Sequence, residues 1–260
     1  MCDPRESLAA AGNGPYPDMP DDCETAPVTA TDARSLDDIE LLSVATPAIR
    51  AQILKQCRWH RFEAQEQIID RNDEPDHVYF LVSGRVRIVI YSASGREITF
   101  DDLEAGAVFG ELSGLDREPR SANVMALEDA TVAALPAAAF RSAVTDHPPL
   151  ALATMVHLIG VLRRGNERIM ELSTLGANNR VHAEILRLAL HGSQPDGSAE
   201  IRPIPVHSDI ASRVSTTRET VARVLSDLAK SGIVTRAADH LHVPKLRPLE
   251  RMVEEVRGDW

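Results

Sequence analysis

Phe109-Gly-Glu-Leu-Ser-Gly-Leu-Asp-Arg-Glu-Pro-Arg-Ser-Ala-Asn-Val124 sets a carboxylate, Glu111, directly after a glycine, and an arginine, Arg120, nine residues further on with the small hydroxyl of Ser121 beside it. A guanidinium forks onto phosphate oxygens through charge-assisted hydrogen bonds. A carboxylate accepts from a ribose hydroxyl, and a glycine such as Gly110 lets backbone N–H groups approach an anion closely. Residue types in this order suit a ligand with one phosphate and one free sugar hydroxyl. Glu111 and Arg120 would also serve as a structural ion pair holding a loop. An exposed pair of that kind stabilises by under about 1 kcal/mol, and it leaves the glycine and the serine without a purpose.

Around this run, from Trp59 to Leu135, the apolar pattern has a period of two. Val78-Tyr-Phe-Leu-Val82 reads as a strand ending at Ser83-Gly84, and Val86, Ile88 and Ile90 alternate with Arg85, Arg87 and Val89 as in a half-buried strand. Ser92-Ala-Ser-Gly95 is a hairpin connection to a strand carrying Ile98 and Phe100, and Ala105-Gly106 is another turn. Residues 122–125 and 131–135 are further short strands. Many short strands with glycine turns at regular spacing indicate a sandwich or roll. Upstream, a short helix is expected from about Ser35 and another over 47–56 on Ile49, Ile53 and Leu54. Residues 1–34, rich in Asp, Pro, Gly, Ala and Thr, read as a disordered acidic tail.

After Pro136 the pattern turns helical. Residues 137–144 form a short helix that stops near His147-Pro-Pro149, and a long helix runs from about Leu150 to Leu172. Leu152, Met155, Ile159, Leu162 and Ile169 lie along one stripe, with Asn166 where an aliphatic residue would stand. A second stripe (Met155, Leu158, Leu162, Gly165, Ile169, Leu172) shares three members. Either gives a coiled-coil-like seam and a parallel dimer; the bland alternative is a helix packed on its own β domain. Asn166 in such a seam would fix register, or would hydrogen-bond the base of a ligand. Gly176-Ala177 ends the helix pattern.

The third region holds a helix on Val181, Ile185, Leu186 and Leu188, a polar loop at 193–199, and a short strand with Ile201 and Ile204. Residues 208–214 and 217–230 are two helices joined through Ser215-Thr216, the arrangement of a helix-turn-helix. A hairpin wing (233–235 and 241–243) and an amphipathic helix (247–256) follow. On the second helix Val221, Val224, Leu225 and Leu228 make the apolar face, while Arg218, Glu219 and Arg223 cluster on the other side toward the N-terminal half. That is the end a recognition helix inserts into the major groove. Arginine takes guanine O6 and N7 together, and glutamate accepts from cytosine N4. Thr216, Thr217 and Arg213 are placed to anchor phosphates. Thr216-x-x-Glu219 also has the form of a capping box.

Composition sets the outer limits. The chain has 260 residues, 43% hydrophobic and 26% charged, enough for about two ordinary globular domains. Its net charge of −11 is concentrated: residues 1–40 hold ten acidic side chains against Arg5 and Arg34 and so carry −8 of it, leaving −3 for the rest. Phosphate binding needs a local basic face rather than a basic chain. The three cysteines, Cys2, Cys23 and Cys57, show no CxxC spacing and read as free thiols. His240 and His242 share a strand face, read as solvated or touching phosphate rather than metal. No apolar run approaches the roughly 18 residues of a spanning helix and no leader pattern opens the chain, so a cytoplasmic protein without a membrane partner is expected. Neither a nucleophile–base pair nor a metal-hydrolase pattern is present, and neither an enzyme nor a metal site is expected.

Both constellations, in this order and joined by a long helix, resemble the cyclic-AMP receptor protein superfamily of bacterial regulators over roughly residues 40–250. Phe109-Gly-Glu-Leu followed by Pro119-Arg-Ser-Ala122 resembles the phosphate-binding cassette of cyclic-nucleotide domains, closest in length to that of the regulatory subunits of cyclic-AMP-dependent kinase. Arg218-Glu-Thr-Val-Ala-Arg223 resembles the recognition helix of the family, which implies a GTG-type half-site in a palindromic double-stranded operator. The resemblance implies an α+β fold: a jelly-roll-like β-roll that binds a cyclic nucleotide (35–148), a long dimerisation helix (149–175) and a C-terminal winged helix-turn-helix (176–260). It implies Gly110, Glu111, Leu112, Arg120 and Ser121 around the ligand, with Glu111 on the ribose 2′-hydroxyl and Arg120 and Ser121 on the cyclic phosphate. The family's base contacts fall on Gly165-Asn166, where Gly165 lacks a hydroxyl. Cyclic AMP is favoured over cyclic GMP as effector, although a hydroxyl after the cassette arginine also suits guanine. The function implied is a homodimeric transcription regulator gated by that nucleotide, with the 193–199 loop facing RNA polymerase by analogy. The rival is the same DNA-binding half with a haem, redox or metabolite sensor.

Overall fold

The computed structural model of the chain describes residues 34–92, 95 and 97–257. Nearly all of the expected acidic tail, Cys2, Cys23 and part of the hairpin connection at 92–95 lie outside these. A 3-10 turn at Glu40–Leu42 stands where the first short helix is expected. Helix α1 (Pro47–Gln56) follows, its first turn fixed by Pro47 and by Thr46, whose hydroxyl accepts from the Ile49 amide.

Eight antiparallel strands then build the roll: β1 (Arg58–Phe62), β2 (Gln67–Ile69), β3 (His77–Ser83), β4 (Arg85–Tyr91), β5 (Glu97–Glu104), β6 (Val108–Phe109), β7 (Asn123–Ala126) and β8 (Ala130–Pro136). They form two four-stranded sheets, ordered β1-β8-β3-β6 and β2-β7-β4-β5. The alternation in β3 explains how the layers stack. Val78 and Phe80 face a cluster with Leu41, Leu42, Ile53, Phe140 and Leu150 from the flanking helices. Leu81, on the other face, packs with Val86, Val124 and Val132 between the sheets. Full burial of each such side chain contributes about 1.5–3 kcal/mol.

Helix α2 (Glu111–Asp116) is inserted within the cassette, after β6. Beyond the roll come α3 (Ala137–Asp146) and the long α4 (Pro148–Thr174), which starts on Pro148 and Pro149 and ends where Leu175 turns extended before Gly176. Helix α5 (Ala177–His191), β9 (Ala199–Ile201), α6 (His207–Arg213), α7 (Arg218–Lys230), β10 (Thr235–Arg236), β11 (Leu241–Val243) and α8 (Leu246–Arg257) complete the chain. Their core, including Val181, Ile185, Ile210, Val221, Leu228 and Leu249, is a separate cluster. Strand order β10-β11-β9 makes the wing a three-stranded sheet. Ile204, expected in the strand with Ile201, lies beyond the end of β9. The fold is α+β, with a jelly-roll-like N-terminal part and a C-terminal helix-turn-helix, as the sequence leads one to expect.

Strand β4 departs from the half-buried expectation. Val86 and Val89 are fully buried, and Arg87 is only 8% exposed, because α6 covers the face on which it lies. Alternation along one strand reports that a second face is polar; it does not report that another element covers it.

Candidate ligand pocket and nucleic-acid interface

The cassette folds around the Arg120 guanidinium. Gly110 takes φ +75°, and a Cβ there would stand 2.7 Å from Arg120 Nη1, so both the conformation and the space call for glycine. Arg120, 5% exposed, donates from Nη1 to Gly110 O and Ser113 Oγ, each at 3.0 Å, and from Nη2 to His77 O at 2.6 Å. The guanidinium also lies 5.8 Å from the centre of the Tyr79 ring, which stacks on Phe109. All of these hydrogen-bond partners are uncharged. Burial pulls the Arg120 pKa below its usual value, which marks a cation short of solvation.

Glu111, equally buried, does not pair with Arg120 through a short contact. Its Oε1 lies 3.3 Å from Nε2 of His157 on α4. The structural ion pair considered from sequence is therefore not what holds the cassette; hydrogen bonds from Arg120 to neutral oxygens do that. Leu112 and Ser121 are on the exposed side and line the same cavity, of about 320 Å³. The cavity continues along β4, β5 and α4, where His157, Val161, Arg164, Gly165 and Arg168 present one helix face. His157 to Arg168 spans about 16 Å of helix axis. At the far end Arg164 Nε meets Asp101 Oδ2 at 3.4 Å.

Asn166 is placed differently from the ligand expectation. It lies on the outward stripe of α4 rather than among the cavity-lining residues of its own chain. At 100° per residue it falls between Leu162 and Ile159 around the helix, which are 63% and 49% exposed. Leu152, Met155 and Ile169 extend that stripe, and all three are exposed.

In the helix-turn-helix, Arg218, Glu219 and Arg223 are exposed on α7 while Val221, Val224 and Leu228 are buried. Arg223 Nη2 reaches Asn178 Oδ1 at 3.3 Å. The cap is shifted by one residue from the expected box: Thr217, not Thr216, accepts from the Thr220 amide at 3.3 Å. The Glu219 carboxyl is held below its ordinary range by its own backbone amide and then by the Thr217 hydroxyl. Thr216 is half-buried. Ser215 takes φ +52° in the turn, and Arg180 pins it: its guanidinium donates to Val214 O at 2.8 Å, Ser215 O at 3.1 Å and Leu175 O at 2.7 Å. The C-terminal end of α4 and the recognition turn thus share one side chain.

Arg213, expected to anchor phosphate, is turned inward. Its Nη2 contacts Asp102 on β5, and its Nε is 3.7 Å from Glu184 Oε1. The same Asp102 accepts both forks of Arg87, at 2.8 and 3.0 Å, and Arg87 reaches on to Asp209 of α6 at 3.2 Å. Thr99 and Ser212 hydroxyls meet at 2.9 Å. The first helix of the pair is thereby clasped to the roll. Sequence reading missed His157, Asp101, Arg164 and Arg180, for which no local signal exists, and took Arg213 for an outward residue because helical period alone shows nothing of the sheet beneath.

Among the described residues no helix is long and apolar enough to cross a membrane, and no group of three or more His, Cys, Asp or Glu is placed to hold a metal ion.

Comparison with known proteins agrees with this geometry. Residues 59–147 match the family model for the cyclic nucleotide-binding domain, and residues 179–252 that for the Crp-like helix-turn-helix domain. A cyclic AMP receptor protein of Thermus thermophilus is 34% identical over 191 residues, 71% of this chain and 83% of that protein. A CRP-like cAMP-activated global transcriptional regulator of Mycobacterium tuberculosis is 28% identical over 187 residues, 72% of this chain and 84% of its own. Among solved structures, a mutant of CooA from Carboxydothermus hydrogenoformans superposes with a TM-score of 0.69 at 25% identity, covering 86% of this chain and 97% of that one.

Proposed function

This chain belongs to the cyclic-AMP receptor protein superfamily of DNA-binding transcription regulators, and from that footing we propose that it works as a homodimer whose operator affinity is set by a cyclic nucleotide in the β-roll. Arg120 is the observation that carries the proposal. A buried guanidinium bonded only to neutral oxygens is a costly arrangement unless an anion completes it. A cyclic phosphate brings one negative charge, Ser121 stands beside it, and Glu111 accepts from the ribose 2′-hydroxyl with Gly110 and Leu112 alongside. Cyclic AMP is the first candidate, ahead of cyclic GMP, because the relatives above carry it in their names.

The outward stripe of α4 supports the dimer. Leu152, Met155, Ile159, Leu162, Asn166 and Ile169 repeat at intervals of 3 and 4, the seam of a parallel coiled coil, and their apolar members are exposed in the single chain. Asn166 then fixes register or reaches the partner's ligand. We divide the chain at 34/35, 148/149 and 175/176 accordingly.

Strand β5 couples the two ends. Phe100, Asp101 and Leu103 line the nucleotide cavity, while Thr99 and Asp102 hold α6. A nucleotide that binds more tightly when the clasp is open shifts the balance toward free helix-turn-helix units; coupling of about 1–3 kcal/mol is typical. Release frees Arg213 to join Thr216 and Thr217 on phosphates while Arg218, Glu219 and Arg223 read bases. The chain acts by binding rather than catalysis, in the cytoplasm, on a palindromic duplex, with the 193–199 loop toward RNA polymerase.

The test is calorimetry with cyclic AMP and cyclic GMP on the wild type and Arg120→Ala, paired with titration of a GTG-palindrome duplex at fixed salt. Nucleotide binding lost in the variant, and nucleotide-stimulated DNA binding lost with it, is the expected result. Equal nucleotide affinity in both proteins rejects the site.

A further inference from the structure

The cavity has two chemically distinct ends. Gly110, Glu111, Arg120 and Ser121 gather at one, together with His157 from the upper part of α4. Phosphate and ribose account for those residues and for nothing at the other end. There Asp101 on β5 faces Arg164 on α4 at 3.4 Å, and Arg168, one helix turn on, lines the cavity with its guanidinium turned toward Glu184. Ile88, Ile90 and Phe100 provide the apolar walls between, as a flat ring requires. An ion pair this exposed contributes under about 1 kcal/mol to the fold, so stability gives little reason for it.

We infer that Asp101 selects the base of the bound nucleotide, accepting from the exocyclic amino group of a 6-aminopurine while Arg164 donates to a neighbouring ring nitrogen. The inference rests on the cyclic-nucleotide reading of the pocket. A carboxylate beside guanidinium donors matches an amino donor flanked by a ring-nitrogen acceptor, which is how adenine presents its edge. With the carboxylate on the 6-substituent and the guanidinium on the ring nitrogen, a 6-oxopurine sets a carbonyl oxygen against the carboxylate and its N1–H against the guanidinium, so both contacts are mismatched. Burial raises the Asp101 pKa, and Arg164 pulls it back. With 36% of its side chain exposed, the carboxylate keeps lone pairs to offer a ligand. Sites built to hydrogen-bond a substrate group reject the analogue lacking it, because their own polar groups are then stranded.

The deciding experiment compares cyclic AMP with cyclic inosine monophosphate, which carries a carbonyl and a ring N–H in place of the amino group and N1 lone pair. Affinities are measured by calorimetry on the wild type, Asp101→Asn and Arg164→Gln, with thermal melts to show that each variant is folded. The wild type is expected to favour cyclic AMP by about tenfold or more. Asp101→Asn, whose amide both donates and accepts, is expected to shrink that ratio toward one with phosphate-end binding retained. Arg164→Gln is expected to weaken both ligands without erasing the preference. A ratio unchanged by Asp101→Asn overturns the inference while leaving the pocket intact. Failure of both nucleotides to bind, or binding indifferent to Arg120→Ala, overturns the pocket reading and this inference with it.

Discussion

Arg213 of the helix-turn-helix lies on Asp102 of the β-roll, and Asp102 at the same time takes both forks of Arg87. One carboxylate therefore bridges two guanidinium groups, all three side chains being at most 15% exposed, with Asp209 and Glu184 as further acidic neighbours. Removing a single partner from such a buried group leaves uncompensated charge and costs about 3–5 kcal/mol. The contact also turns Arg213, the residue proposed to anchor phosphate, inward onto the roll.

Asp102→Asn should accordingly act in two directions. Thermal or urea unfolding is expected to show a clear loss of stability, while DNA binding without nucleotide rises. Arg213→Ala opens the same clasp and also removes a phosphate contact, so its salt slope of log affinity should fall by about one. If both variants bind DNA no better than wild type in the absence of nucleotide, the clasp does not restrain the helix-turn-helix.

Gly110→Ala tests the cassette without touching a charge. The position takes φ +75°, and the added methyl stands 2.7 Å from Arg120 Nη1 and 3.3 Å from Ile69 Cδ1. The backbone strain alone amounts to about 1–2 kcal/mol. The crowding turns Arg120 away from Gly110 O. We expect a modest fall in melting temperature with a disproportionate loss of cyclic-nucleotide affinity. A variant that binds as wild type does would show that Arg120 is free to relocate.

What could be read in advance divides by range along the chain. Gly110, Glu111 and Arg120 lie within eleven residues and carry their chemistry in their order. Helix α7 shows its buried face through period alone. His157, Asp101 and Arg180 become partners of the site only through packing between elements far apart in sequence, and no local pattern marks them. Arg213 misled for the same reason: on α6 it has the spacing of an exposed residue, and only the docking of that helix on β5 turns it toward Asp102. The apolar stripes on α4 were legible, but which of the two overlapping ones is left exposed depended on where the roll lies; Leu152, Ile159 and Leu162, on the stripe containing Asn166, are all exposed.

Cys57 provides a test of the free-thiol reading. Its thiol donates to Ile53 O at 3.3 Å, and burial pushes its pKa up to about 12. The thiolate is the reactive form. At pH 8 alkylation of Cys57 in the folded protein should be slower by roughly a thousandfold than in urea, measured by peptide mass spectrometry in a Cys2→Ser, Cys23→Ser background. Linkage has the matching sign. Below the ordinary thiol value near 8.5 both states hold the proton; as pH rises toward 12 the unfolded chain releases it first, so stability declines over that window. Rapid alkylation under native conditions would mean that the cluster around α1 opens readily.

The recognition helices read two half-sites only if a second copy sets their spacing, about 34 Å for sites one turn apart. Leu162 sits midway along the outward stripe of α4 at 63% exposure and belongs to none of the buried clusters, so its replacement disturbs little within the single chain. Leu162→Glu would bring two carboxylates together at the centre of the seam, where burial of each leucine otherwise contributes about 1.5–3 kcal/mol. Sedimentation should shift from dimer to monomer with the melting of each chain little changed. Affinity for a palindromic duplex should then fall to that for a single half-site, while nucleotide binding persists through Arg120 and Glu111 of the same chain. Loss of nucleotide binding in that monomer would instead indicate that the partner's α4, with Asn166 foremost, completes the pocket.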